Sequence, residues 1–259
     1  QVQALEIPTD PQTGVDIDSL EKAIHNHQIK VCLLTPNFHN PLGAVMPVEN
    51  KQKLVKLTNE HQIPIIEDSV NSELFYGRQR PQPLKAFDKK DLVITCSSFS
   101  KALASGLRTG WVIPGSRFKE KILKLKTGFS VSTSSLDQTL LARFLESGVY
   151  ERHLRSLRAR LKKQVSIYGD AIEENFPGGT RVLRPQGGLL LWVQLPGNAD
   201  SFEIYKQALA HRISILPGVV FSSSGQFADF IRIGCGFPFS RKMARGLKTL
   251  GALVQENLS

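Results

Sequence analysis

Short, unbroken apolar runs alternate with polar stretches along the first half of the chain. VCLLTP from Val31, IPIIEDS from Ile63 and DLVITCSS from Asp91 are such runs, and ENKQKLVKLTNEHQ lies between the first two. Continuous apolar runs suit strands buried on both faces, as in a parallel sheet covered by helices. Successive strands separated by helices imply right-handed crossovers, so this half predicts an α/β sheet. Ser134 to Glu146 and Glu151 to Asn175 carry helical patterns. Beyond them RVLRPQGGLLLWVQL, ISILP and FIRIGCG alternate with the helical SFEIYKQALAHR and a closing helix from Ser240. These shorter, mixed elements predict a smaller α+β domain. The long helix is the natural bridge, so residues 1–155 are expected to form part of a large domain and 156–259 a small one.

Composition narrows the reading little. A chain of 259 residues can bury a real core as one large domain or two modest ones. No apolar stretch reaches membrane-spanning length, and no secretory pattern opens the sequence. The first residue is Gln1, which reads as a piece of a longer protein or a processed start. Cys32, Cys96 and Cys235 are odd in number, far apart and set in apolar runs. Buried free thiols in a reducing compartment are expected, over a disulfide or metal role, which makes the cytoplasm the default location. The net charge of +10 bears on partners more than on fold. Its densest run, ERHLRSLRARLKK, spaces Leu154, Leu157 and Leu161 as one helical stripe beneath a solvated basic face. No aromatic residue interleaves it, which disfavours a nucleic-acid groove there.

The chemistry gathers after the apolar runs. Asn40, Pro41 and Gly43 follow the first, the second ends on Glu67 and Asp68, and the third leads into Ser98, Ser100, Lys101 and Arg108. Open α/β sheets bind ligands outside the carboxyl ends of their strands, so these groups are expected in one crevice. Pyridoxal phosphate needs such a set. An amine must form an imine with its aldehyde, and a carboxylate must keep its pyridine nitrogen protonated. Hydroxyls and a guanidinium fork must hold its phosphate, and a donor must meet its phenolic oxygen. Lys101, Asp68, Ser98 with Arg108, and Asn40 fill those roles.

The segments NPLG, IIEDSV and SSFSKALASGLRTGW resemble signatures of fold-type I pyridoxal-phosphate enzymes, the class I and II aminotransferases. PQGGLLLWVQLP, ISILPGVVFS and FIRIGCGFP resemble the small-domain blocks of that family, so the likeness covers nearly the whole chain. LLTPNFHNPLGAVMP, QRPQPLKAFD and SSFSKALASGLRTGWVIPG are most similar to the aminotransferase-like domains of MocR-type GntR regulators, which join this fold to an N-terminal winged helix. The resemblance implies an α/β, fold-type I architecture: a partial large domain with a mainly parallel sheet, then the small α+β domain. It makes Lys101 the catalytic lysine, Asp68 the pyridine partner, and Asn40 the ligand of the phenolic oxygen. Ser98 and Arg108 would bind phosphate with help from Ser100. Arg232, with Asn40, would receive the carboxylate of an amino-compound substrate or effector. No metal is implied. Gly187 and Gly188 either start a strand or allow close backbone approach to a ligand, and His39 carries no role over.

The sequence departs from the family at two places. Relatives commonly place a tyrosine two or three residues after the pyridine aspartate, where this chain has Val70 and Asn71. Asn71 is expected to replace a phenol imperfectly, and Tyr76 lies too far along to reach back. The helix, phosphate-binding turn and stacking aromatic that begin a family domain are also missing upstream of residue 31, because Gln1 to Asp18 resembles a third strand and its loop. The fragment alone is therefore expected to bind pyridoxal phosphate weakly. Three functions fit: the effector and dimerisation domain of a MocR-type regulator that meets DNA only through a domain absent here, a free-standing aminotransferase, or a scaffold without cofactor. Homodimers are usual in the family.

Overall fold

The structure, a computed structural model, describes residues 3–258 except Asn198. The chain divides into two compact units. One comprises Ile7–His39 and Ala44–Arg158; the other comprises the segment ending at Glu6, Asn40–Gly43 and the chain from Ala159 onward. The second unit thus takes in two short segments that the sequence reading put in the large domain, and the division falls inside a single long helix.

The first unit opens with a short antiparallel pair, β1 (Thr9–Asp10) and β2 (Gly14–Val15), followed by helix α1 (Ile17–Asn26). Asp16 caps α1, its Oδ1 accepting from the Ser19 N–H at 2.6 Å. Then come β3 (Cys32–Leu34), α2 (Val48–Glu60), β4 (Ile65–Asp68), β5 (Val93–Ser98) and β6 (Gly110–Ile113). They form one sheet in the order β3-β4-β5-β6, with β3, β4 and β5 parallel and β6 antiparallel to β5. Helices α3 (Ser116–Ser130), α4 (Ser135–Glu146) and α5 (Val149–Asn175) follow.

The three apolar runs are strands, but they are not buried on both faces. Cys32, Ile65 and Val93 point one way into a core with Leu20, Leu54, Val55 and Leu57 from α1 and α2. Side chains alternate along a strand, and on the opposite face Leu33 is 71% exposed, while every residue of β6 is exposed. An unbroken apolar run does not reveal how many of its faces are covered. Helix α3 buries no side chain and α4 only Leu141, leaving Phe129, Val131, Leu136 and Leu140 open.

Helix α5 follows the leucine pattern in outline: Leu154 and Leu161 are buried, Leu157 is half-buried, and Arg152, Arg155, Lys162 and Lys163 are exposed. Arg158 breaks the solvated basic face. Its Nε donates to the Glu73 carbonyl at 2.9 Å, and its guanidinium lies 3.9 Å from the centre of the Phe75 ring.

The second unit carries a separate antiparallel sheet. Strands β7 (Arg181–Leu183), β8 (Leu190–Gln194), β9 (Leu216–Pro217) and β10 (Phe230–Gly234) lie in the order β7-β8-β10-β9. Helices α6 (Ser201–Ala210) and α7 (Arg241–Glu256) accompany it. Leu247, Leu250, Gly251, Leu253 and Val254 give α7 one buried stripe. At Gly251 the helix runs so close to the end of α5 that a Cβ would sit 2.1 Å from the Asn175 carbonyl oxygen.

Candidate active site at the strand ends

In the first unit, β4 and β5 end side by side, and Asp68 pairs in register with Cys96. Strand alternation puts Asp68, Cys96 and Ser98 on one face and Glu67 and Thr95 on the other. The two adjacent carboxylates therefore have different surroundings. Glu67 is fully buried, and its oxygens accept from the Leu84 N–H at 2.8 Å, the Lys85 N–H at 3.2 Å and the Thr95 hydroxyl at 2.9 Å. It holds the segment leading into Leu84–Phe87. Asp68 is half-buried and accepts from the Val70 N–H at 3.0 Å.

Lys101 stands in the turn that leaves β5. The Leu103 and Ala104 N–H groups both donate to the Phe99 carbonyl, at 2.8 and 3.1 Å, which closes the turn around it. Its neighbours fasten that turn from below: Ala102 is buried against Tyr150 and Leu154 of α5, with Phe99, Leu103 and Phe144 packed around them. The His153 ring nitrogen lies 2.9 Å from the Ala102 carbonyl oxygen. Lys101 itself is exposed, and among the described residues nothing bonds its amine. A fixed backbone thus presents a free amine.

Ser98, Ser100 and Arg108 frame the same turn. The Ser100 N–H donates to Ser98 Oγ at 3.3 Å. Arg108 takes a left-handed backbone, φ 47°, and its Nη1 donates to the Ser105 carbonyl at 3.2 Å, with the side chain otherwise exposed. Two hydroxyls and a guanidinium that has no carboxylate partner among the described residues suit an oxyanion.

Three further residues shape this region, none in a way the sequence announced. Asn71 is buried, and its Nδ2 donates to the Phe38 carbonyl at 3.2 Å. It braces the loop after β3, where Phe38 adopts φ 55°, a conformation rare for a side chain of that size. His39 follows. Its Nδ1 is buried without a partner among the described residues, and burial pulls its pKa down against the opposing pull of Asp68. Beneath the loop, Lys51 of α2 is buried, its amine donating to Asn37 Oδ1 at 2.6 Å and to the Gln82 carbonyl at 2.8 Å. Desolvation lowers its pKa to about 8, with Glu67 opposing the shift.

The cysteines are free thiols, but only Cys32 and Cys235 are buried. Burial pushes them up to about 11 and about 12. Cys96 is half-buried because it shares the open sheet face with Asp68. Burial raises its pKa too, reinforced by the nearby Asp68 and Glu67. No described helix is long and apolar enough to cross a membrane.

In the second unit, Asn40 and Arg232 meet. Arg232 Nη1 donates to Asn40 Oδ1 at 2.9 Å. Arg232 sits on β10, paired in register with Trp192 and Leu216, and its guanidinium lies 5.2 Å from the Phe221 ring centre. Burial lowers its pKa. Gly43, φ 68°, follows in the same segment, where a Cβ would sit 2.7 Å from Pro185 Cβ.

The sequence profile of the family described as aminotransferase class I and II matches residues 1–242. The chain belongs to that family. Two relatives from Escherichia coli strain K12 are uncharacterized HTH-type transcriptional regulators: YjiR, 38% identical over 98% of this chain, and YdcR, 37% identical over all of it. The chain covers 54% and 55% of those proteins, so it spans about half the length of the curated relatives it matches. Among solved structures, Pyrococcus horikoshii kynurenine aminotransferase superposes with a TM-score of 0.91 at 27% identity, covering 98% of this chain and 64% of that one. LysN, an α-aminoadipate aminotransferase of Thermus thermophilus crystallised with a phosphopyridoxyl-leucine, also gives 0.91, at 26% identity over 98% of this chain and 66% of its own. The fold is that of the fold-type I aminotransferases.

Proposed function

We propose that this chain is the pyridoxal-phosphate-binding, effector-sensing and dimerisation domain of a MocR-type regulator of the GntR family. The observation that carries the cofactor reading is the pairing of β4 with β5, which sets the Asp68 carboxylate beside the strand that leads to the Lys101 amine. When bound, the cofactor supplies an electron sink for bonds at the carbon bearing the amine. Lys101 would hold it at its aldehyde carbon, Asp68 would face its pyridine nitrogen and keep it protonated, and Ser98, Ser100 and Arg108 would take the phosphate. Asn40 would meet the phenolic oxygen, and Arg232, with Asn40, would take the carboxylate of an incoming amino compound. The half-buried, open face around Asp68 and the free amine of Lys101 fit this donor set.

The regulator reading is supported by the near-complete match to two HTH-type proteins roughly twice this chain's length. DNA contact would belong to another domain of the full protein, biased by whichever state the bound amino compound favours. A homodimer fits the exposed apolar side chains Phe129, Val131, Leu136 and Leu140 of the first unit.

The full-length protein tests this. Incubated with pyridoxal phosphate, it gains a visible absorption band that borohydride erases, and Lys101→Ala removes the band. A band that survives Lys101→Ala overturns the assignment. The similarity to solved aminotransferases supports a second reading, a free-standing aminotransferase that moves an amino group from an amino acid to a 2-oxo acid, in which the Lys101 amine would be the base that carries the proton at the substrate's α-carbon. A band that shifts with amines while no oxo acid accumulates favours the regulator; stoichiometric turnover favours the enzyme.

A further inference from the structure

The Arg232 guanidinium is held by more than its strand. Among the described residues no carboxylate lies within ion-pair distance of it, so a half-buried cation stands without a counter-charge. Phe221 lies against it at the end of the tight turn Gly218–Phe221. That turn is rigid for identifiable reasons. A Cβ at Gly218 would meet the Phe227 carbonyl oxygen at 2.1 Å, and the Gly218 N–H donates to Ser201 Oγ at 3.2 Å. The Phe221 ring is itself set edge-on against Trp192 at 5.4 Å, and Trp192 stacks on Phe230 at 5.0 Å. On the far side of Phe221, the Ser222–Ser224 loop is tied down by Glu6. The Glu6 carboxylate accepts from the hydroxyls of Ser222 at 2.8 Å, Ser223 at 2.6 Å and Ser224 at 3.3 Å, and from the Ser223 N–H.

We propose that Phe221 is a positioning residue for carboxylate recognition: its ring carries the Arg232 guanidinium while Asn40 Oδ1 takes one of its N–H groups, so the remaining N–H groups face an incoming carboxylate in a fixed orientation. This rests on Arg232 being the carboxylate receptor. A guanidinium over an aromatic face is drawn to the ring's negative quadrupole, and the attraction grows with desolvation. It also leaves the planar fork free at its edge, which is the geometry a carboxylate needs. Glu6 and Trp192 act one step further out, by fixing the ring.

The test uses the full-length, cofactor-loaded protein, with sodium propionate and its uncharged isostere propionamide as probes in calorimetric titrations. Wild type is expected to bind propionate and not propionamide. Phe221→Leu should weaken propionate binding about 3- to 10-fold while Phe221→Tyr, which keeps the ring, stays within about twofold of wild type. In an Arg232→Lys background, Phe221→Leu should cause no further loss. Because a core change could loosen the turn, the Arg232 Nε–Hε proton is followed by NMR as well. It should lose its ring-current shift in Phe221→Leu and keep it in Phe221→Tyr. Propionate binding unchanged in Phe221→Leu, or equal losses in the Leu and Tyr variants, overturns the positioning role with Arg232 still the receptor. Binding unchanged in Arg232→Lys overturns the receptor reading beneath it.

Discussion

The two faces of the β3–β4–β5 sheet differ in how far the protein satisfies its own polar groups. On the face covered by α1 and α2, Glu67 has three donors and the nearby buried Lys51 has two acceptors. On the open face and its strand ends, Asp68 has one donor, and the Lys101 amine has no partner among the described residues. Charged groups buried without compensation are costly, so the covered face must saturate them. At the open strand ends solvent exposure removes that requirement. Neighbouring residues of one chemical type, Glu67 and Asp68, thus divide between a carboxylate saturated by the fold and a half-buried one that we propose meets the cofactor.

Substitution can break that contrast. The largest stability effect should come from Glu67→Ala, which strands two backbone N–H groups and a hydroxyl in the core. A loss of roughly 3 kcal/mol or more is expected in urea unfolding. Asp68→Ala should stay within about 1 kcal/mol of wild type in the same experiment while losing the cofactor's visible band. Equal destabilisation by the two variants would falsify the division of labour. Next in size is Lys51→Met, which leaves Asn37 Oδ1 without its short bond and should cost about 1–3 kcal/mol.

Lys51 also sharpens the comparison through pH. Its folded pKa, about 8, lies below the ordinary 10.5. Between those values the unfolded chain keeps a proton that the folded protein has released, so stability rises with pH across that window and is lost again as pH falls toward 8. Unfolding midpoints of wild type should show this rise relative to Lys51→Met; parallel profiles would show that the amine titrates normally. The smallest effect belongs to Lys101→Ala, within about 0.5 kcal/mol of wild type by thermal unfolding, because its turn is fastened by Phe99, Ala102 and Leu103 instead.

The alternation of apolar runs and helical stretches was enough to locate the strands, because a strand core announces itself within six residues. Asp68 and Lys101 were legible for the same reason, as polar residues where such runs stop. Glu67 next door shows what was not legible: its role depends on Leu84 and Lys85, 17 and 18 residues away. The burial of Lys51 depends likewise on Asn37 and Gln82, so a polar helix sequence could not disclose it. What lies on the second sheet face was not legible either, since Leu33 is apolar and yet 71% exposed within this chain. In the other unit, nothing in the spacing of Phe221 and Arg232 announces that a ring lies over a cation.

Asn71 bears on how freely this loop can change. Its side chain is the prop beneath a left-handed Phe38. A tyrosine at this position would remove a buried donor from the Phe38 carbonyl and bring a larger ring to a buried site. That single substitution would therefore disturb the loop that leads to Asn40. The two positions form one unit of change: a bulkier residue at 71 is accommodated only together with a second substitution that frees Phe38 from its support.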